Sequence, residues 1–208
     1  MSHCEVKVVD YRTSNLLSIT KALQRAGGEV ELVRTPEEIE KADRLVLPGV
    51  GAFGAAMRNI ELLGIRESLL SFGKTGKPIV GICLGMQLLF NVSYELGVNA
   101  GLSLLSGEIV PFPGDGAVEA SLKIPHMGWN QVDFRGESRL LLGLPDHHYA
   151  YFVHSYYARA TEDDVVGSTT YGVTFPAVVE RDNIFGIQFH PEKSQSFGLK
   201  ILENFLKA

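Results

Sequence analysis

The chain has 208 residues, of which 45% are hydrophobic and 21% charged, enough apolar mass for one α/β domain with a sizeable core. Its net charge of −5, with no cluster of Lys and Arg, argues against nucleic acid as the main partner. No apolar run approaches the length of a bilayer span, and residues 1–5 carry no basic start ahead of an apolar core, so neither a membrane segment nor a signal peptide is expected. The two cysteines, Cys4 and Cys83, are too few for a disulfide framework and suit a reducing, cytoplasmic setting.

Residues 6–9 read as a first strand, and 16–23 as a helix closed by Gly27 and Gly28. A second strand at 30–33 precedes Thr35-Pro36-Glu37-Glu38, where a capping residue and a first-turn proline open a short helix. The third strand, 45–47, runs into Pro48-Gly49-Val50-Gly51. Helices are predicted at 53–63 and 65–72, then an apolar strand from Pro78 to Cys83 and a helix over 84–90. This alternation predicts a parallel sheet covered on both faces, with ligands at the carboxyl ends of the strands, where Gly49, Gly51 and Cys83 fall. From residue 107 the pattern changes to strands and hairpins at 107–112, 129–134, 149–159, 165–171 and 177–181. A turn at Asp182-Asn183 leads to a strand at 184–189, and a helix over 196–206 closes the chain. Without linker, repeat or low-complexity stretch, residues 1–208 read as a single domain. The expected class is α/β, a mostly parallel central sheet with helices on both faces and an antiparallel extension.

Cys83 ends its strand in Gly81-Ile82-Cys83-Leu84-Gly85, with a helix following at once. That is a strand, sharp turn and helix of the nucleophile-elbow kind, G-x-C-x-G in place of the serine version. The glycines let two backbones approach the turn, and the unpaired N–H groups of the next helix favour negative charge on the sulfur. Far along the chain, Gln188-Phe189-His190-Pro191-Glu192 offers an imidazole with a carboxylate two residues away, which point the same way in an extended segment. A lone His-x-Glu is most often a solvated pair, and a lone strand-end cysteine is often structural. Together they make a nucleophile, base and orienting acid.

Gly49-Val50-Gly51-Ala52-Phe53-Gly54 matches a dinucleotide fingerprint, but it follows the third strand and no acidic residue closes the next one. Its backbone N–H groups suit an oxyanion hole better, with Gly51 and the Leu84 N–H after the nucleophile as donors. Val50 between glycines leaves room for a peptide flip, so that hole is expected to need a stimulus to form. His3, His126, His147, His148 and His154 lack metal-site spacing and read as hydrogen-bonded or surface residues, so no metal and no cofactor are expected.

With these residues in place the chain resembles the triad (class I) glutamine amidotransferases. Within them it is similar to the glutaminase subunits of imidazole glycerol phosphate synthase, through Pro48-Gly49-Val50-Gly51-Ala52-Phe53, residues 81–90, Pro125-His126-Met127-Gly128-Trp129-Asn130, Phe152-Val153-His154-Ser155-Tyr156-Tyr157 and His190-Pro191-Glu192-Lys193-Ser194-Gln195. One departure is Ser14, where the family usually places glycine. The resemblance implies that Cys83 attacks the side-chain amide of glutamine, His190 moves the protons and Glu192 orients His190. It implies further that Gly49, Gly51, Gln87, Ser155 and Tyr156 hold the glutamine, and that Asn15, Trp129 and Lys193 lie near a partner face. That partner would be a separate (β/α)₈ cyclase subunit in a heterodimer, since a barrel of about 250 residues has no room in this chain. Glutaminases of other pathways, a cysteine peptidase on a similar fold and a non-catalytic binding module are the competing readings. The 125–130 stretch and Val50 disfavour the first, and the intact triad disfavours the last.

Overall fold

A computed structural model describes residues 4–12, 16–113 and 122–208. The chain begins with β1 (Cys4–Val9), α1 (Leu16–Arg25), β2 (Gly28–Val33), α2 (Pro36–Glu40), β3 (Leu45–Gly49), α3 (Phe53–Leu62), α4 (Arg66–Gly73) and β4 (Ile79–Cys83). It continues through α5 (Leu84–Leu88), the short strands β5 (Val92–Ser93) and β6 (Asn99–Ala100), β7 (Gly107–Pro111), β8 (His126–Phe134) and β9 (His147–His154). The remainder is β10 (Tyr156–Ala160), β11 (Val165–Tyr171), β12 (Val173–Arg181), β13 (Ile184–Ile187) and α6 (Gln195–Phe205).

A nine-stranded sheet runs in the order β2-β1-β3-β4-β13-β12-β11-β8-β9, and β10-β7-β5-β6 form a second sheet. The first five strands of the large sheet are parallel, and β12, β11, β8 and β9 continue it antiparallel. Both faces of the parallel part are buried, as alternation along β3 shows. Val46 joins Ile19 and Leu23 of α1 and Ile201 of α6 in one apolar cluster. Leu45 and Leu47 point the other way, into a cluster with Ile39 of α2, Phe53 of α3 and Leu69 of α4. Among the described residues no helix is long and apolar enough to cross a membrane.

The short strands β5 and β6 have no counterpart in the sequence pattern, β8 begins three residues early and α5 ends two early, and two further departures have a clear physical reason. The run 149–159 is two strands rather than one: β9 pairs with β8 in the large sheet, and β10 pairs with β7 in the small one. The chain changes sheets at Ser155, whose carbonyl accepts the Phe112 N–H at 3.4 Å. Uninterrupted β-formers conceal that switch, because periodicity of two does not say which neighbour a strand chooses. Second, β12 starts at Val173, ahead of Pro176. Pairing of β12 with β13 covers only Val178 to Arg181, so the proline stands where the strand has one ladder neighbour and its missing N–H is tolerated.

The strand register sets the site. Gly49 lies opposite Cys83, and Ile82 opposite Ile187, so the carboxyl ends of β3, β4 and β13 meet side by side. A Cβ on Gly81 would overlap the Gly85 backbone, and one on Gly85 would overlap the Leu47 carbonyl oxygen. Gly85→Ala is therefore expected to cost about 3 kcal/mol or more, since only backbone could yield. Urea unfolding would check this against Gly136→Ala, where a Cβ meets nothing within 4 Å and only the φ of +74° resists; equal losses in the two variants would refute it.

Candidate active site

Cys83 stands at φ 54° and ψ −112°, a left-handed backbone that a residue with a Cβ adopts only under constraint. The constraint is the abrupt passage from β4 into α5, which begins at the next residue. The thiol is 6% exposed. Its sulfur lies 4.0 Å from the Val153 carbonyl and 4.0 Å from Gln188 Nε2.

His190 follows β13 and is 3% exposed. Its N–H donates to the Tyr151 carbonyl at 2.9 Å, and Ser194 Oγ donates to the His190 carbonyl at 2.7 Å. Nδ1 lies 2.8 Å from Glu192 Oε1, so Nδ1 carries the proton and donates it. The geometry differs in detail from the extended segment expected. His190 is extended, but Pro191–Lys193 is a 3₁₀ turn, and it is this turn that brings the carboxylate under the ring. Nε2 is buried and makes no hydrogen bond of normal geometry, yet the Cys83 sulfur is close enough to govern its charge. Burial by itself would lower the pKa of the imidazole. Interaction with the Cys83 sulfur and the Glu192 carboxylate overrides burial and raises it from 6.5 to about 10. Cys83, His190 and Glu192 thus converge, as the sequence suggests. They place a buried imidazole–carboxylate pair beside a buried thiol, an arrangement suited to acyl transfer from an amide.

The loop from Gly49 to Gly51 borders this trio. Gly49 is buried opposite Cys83, and Gly51 takes φ +108°. The Tyr11 hydroxyl donates to the Pro48 carbonyl, and Glu95 Oε2 accepts the Phe53 N–H at 2.5 Å. Both sides of the loop are therefore tied, and Val50 between them is 41% exposed. A cavity of about 40 Å³ lies between Gly49 and Val50 on one side and His190 and Glu192 on the other. Leu84, the other expected oxyanion donor, is buried at the first position of α5.

Gln87 reaches the Ser155-Tyr156 segment through Tyr156. Gln87 Nε2 donates to the Tyr156 carbonyl at 2.9 Å and to Gln188 Oε1 at 3.1 Å. Trp129 is 48% exposed with its ring 6.1 Å from that of Tyr151, and the Lys193 ammonium sits 5.4 Å over the same Tyr151 ring. These two expected interface residues share one surface next to His190. Asn15 and Ser14 lie outside the described residues. Gln188 is a site residue that the sequence pattern alone does not single out, although its place two residues before His190 in an extended run is a usable signal. Glu95 carries no such signal, because its link to Phe53 spans 42 residues. Among the described residues no three His, Cys, Asp or Glu side chains stand where they could hold a metal.

Residues 7–208 match the family model for glutamine amidotransferase class-I. The chain is 49% identical over 201 residues to imidazole glycerol phosphate synthase subunit HisH of Wolinella succinogenes, covering 96% of this chain and 98% of that one. It is 48% identical over 203 residues to subunit HisH of Desulfitobacterium hafniense, covering 97% and 93%. Among solved structures it is similar to that of PurLQS from Thermotoga maritima, with a TM-score of 0.75 at 19% identity over 99% of this chain and 98% of that one. That last likeness speaks for the fold.

Since the folded His190 value lies above 6.5, its contribution to stability is complete below about pH 6.5 and is lost as pH rises through about 10. Glu192→Gln keeps an acceptor but removes the charge, so His190 is expected to titrate at lower pH in that variant. NMR titration of the ring would show it, and an unmoved midpoint would mean that Glu192 does not set the charge of His190.

Proposed function

The chain belongs to the class-I glutamine amidotransferases, and from that premise we propose that it is the glutaminase subunit of an imidazole glycerol phosphate synthase, one domain spanning residues 1–208. The near-full-length likeness to HisH subunits favours this pathway over other glutaminases. The observation that carries the chemistry is the buried His190–Glu192 pair at 2.8 Å beside the strained Cys83 elbow.

In this reading His190 Nε2 first takes the thiol proton, leaving a thiolate–imidazolium pair, and the Cys83 sulfur then attacks the side-chain amide carbon of glutamine and forms a C–S bond. The developing oxyanion is held by backbone N–H groups of Gly51 and Leu84, each such donor being worth roughly 10²–10³ in rate. His190 returns the proton to the leaving nitrogen, the C–N bond breaks, and ammonia and a γ-glutamyl thioester result. Water, activated by the same imidazole, releases glutamate and restores the thiol. Glu192 keeps the proton on Nδ1 and stabilises the imidazolium. Gly49, Gln87, Ser155 and Tyr156 hold the substrate.

Ammonia passes to a cyclase subunit in a cytoplasmic heterodimer, through the face that carries Trp129 and Lys193. Docking there would supply the stimulus for the Val50–Gly51 peptide to turn. The tethered ends of the loop, its exposed centre and the small cavity behind it support this order of events.

Glutamate release by wild type and Cys83→Ala, alone and with the cyclase and its nucleotide ligand, tests the proposal. Wild type should be strongly stimulated by the partner, and the variant should lose roughly 10³-fold or more. Cys83-dependent hydrolysis indifferent to the cyclase would remove the pathway. No Cys83-dependent hydrolysis at all would remove the glutaminase.

A further inference from the structure

Two buried histidines take no part in that chemistry. His126 starts β8 and His154 ends β9; they are 3% and 6% exposed and face each other across the strand pair. His126 Nδ1 lies 3.0 Å from His154 Nε2. His126 is stacked between Phe152, with ring centroids 4.9 Å apart, and Tyr171, at 4.2 Å, while Phe112 packs on His154 at 5.3 Å.

The hydrogen bonds assign every proton. His154 Nδ1 is 2.9 Å from the Tyr156 carbonyl, which can only accept, so this nitrogen carries the hydrogen. Nε2 of the neutral ring is then an acceptor, and His126 Nδ1 must donate to it. His126 Nε2 becomes an acceptor in turn, and Asn130 Nδ2 stands 3.2 Å away. The Asn130 amide is oriented independently: its Oδ1 accepts the Gln131 N–H at 2.8 Å and its Nδ2 donates to the Thr170 carbonyl at 3.0 Å. All donors point one way, from Asn130 through both rings to Tyr156.

The Tyr156 carbonyl also receives Gln87 Nε2 at 2.9 Å, and the other proton of that nitrogen goes to Gln188 Oε1 at 3.1 Å. Gln188 Nε2 is thereby turned toward the Cys83 sulfur, 4.0 Å away. A second proton on either histidine would set donor against donor and break the series. Burial among aromatic rings opposes such a proton, lowering the pKa of His154 to about 3 and that of His126 to about 4.

The geometry points to His126 and His154 as positioning residues for glutamine: two neutral rings in series fix the Tyr156 carbonyl and, through it, the Gln87 amide, in the orientation that receives the substrate. This rests on the reading that Gln87 and Tyr156 hold glutamine. The rings touch neither the substrate nor the reacting atoms; they act through the wall they align.

The test uses the full chain with its cyclase partner. His126→Phe keeps the stack and loses both nitrogens, whereas His126→Asn returns an amide N–H near the place of Nδ1. In His126→Phe the KM for glutamine is expected to rise about five- to tenfold, the effect of one misplaced hydrogen bond, with kcat within about threefold of wild type. His126→Asn should recover most of the KM. A purely structural role would reduce the amount of folded enzyme, hence kcat, and leave KM alone. An unchanged KM in folded His126→Phe, or an Asn variant as impaired as Phe, overturns the proposal. Should the variants fail to fold, long-range ¹H–¹⁵N NMR of the wild type decides: both rings must carry their hydrogen on Nδ1, and a hydrogen on Nε2 of either one overturns it. If wild type shows no Cys83-dependent glutamate release, the glutaminase reading has failed, and NMR still reports the direction of the hydrogen-bond series on its own.

Discussion

At Cys83 the backbone of β4 must reverse into α5 within a single residue, and nearly everything near the site follows from how that turn is accommodated. The turn brings Gly85 so close to the Leu47 carbonyl that no side chain fits there, and brings the Gly85 backbone close enough to Gly81 to exclude one there too. The elbow is therefore locked against β3. That lock places Gly49 opposite Cys83 and leaves the Gly49–Gly51 loop no course but past the sulfur. A left-handed conformation at a non-glycine residue persists where its surroundings over-determine it. Here two parallel strands and a helix do so, and the cysteine is held at the carboxyl edge of the sheet where α/β folds bind ligands.

The charge state of His190 depends on the same packing. A ring 3% exposed would be neutral at physiological pH if burial acted alone. Interaction with Cys83 and Glu192 reverses that outcome, and the 3₁₀ turn at Pro191 makes the carboxylate available. Ser194 stiffens the turn by donating to the His190 carbonyl while accepting the Tyr151 N–H at 3.0 Å. The base is consequently tied to β9, the strand that carries Tyr151, over whose ring Lys193 lies. A partner docking on that surface would press on the segment that aims the imidazole.

Where chemistry is encoded by residues close together in the chain, the sequence makes it legible. The glycines around Cys83, the His190-Pro191-Glu192 triplet and the strand–helix alternation of the first half are all local, although the triplet is completed by a 3₁₀ turn rather than an extended segment. What the pattern does not reveal depends on which strands become neighbours. Residues 149–159 contain one unbroken β pattern, yet Ser155 divides it between two sheets, because β7 offers a second ladder that nothing nearby announces. Glu95 caps α3 from a turn 42 residues away, and Asn130, His126 and His154 meet only through the pairing of β8 with β9. The spacing of His126 and His154 suggests hydrogen-bonded or surface rings; they are buried and hydrogen-bonded, and their order in a series follows only from that register.

Three buried histidines therefore surround one cysteine region with opposite charge preferences. His190 is raised by Cys83 and Glu192 beside it, while His126 and His154 are lowered by burial among aromatic rings that offer no counter-charge. His190 itself contributes to the depression of His154, because a cation there disfavours a second one nearby. The two effects reinforce each other: an imidazolium at His190 is easier to hold when the neighbouring rings stay neutral, and neutral rings are the only ones that can pass donors in one direction to Tyr156. Separating pKa values among like residues in one site is how a protein assigns one of them to proton transfer and others to fixed hydrogen bonding. In this chain the division is set by what lies beside each ring, a carboxylate turn for His190 and the faces of Phe152 and Tyr171 for His126.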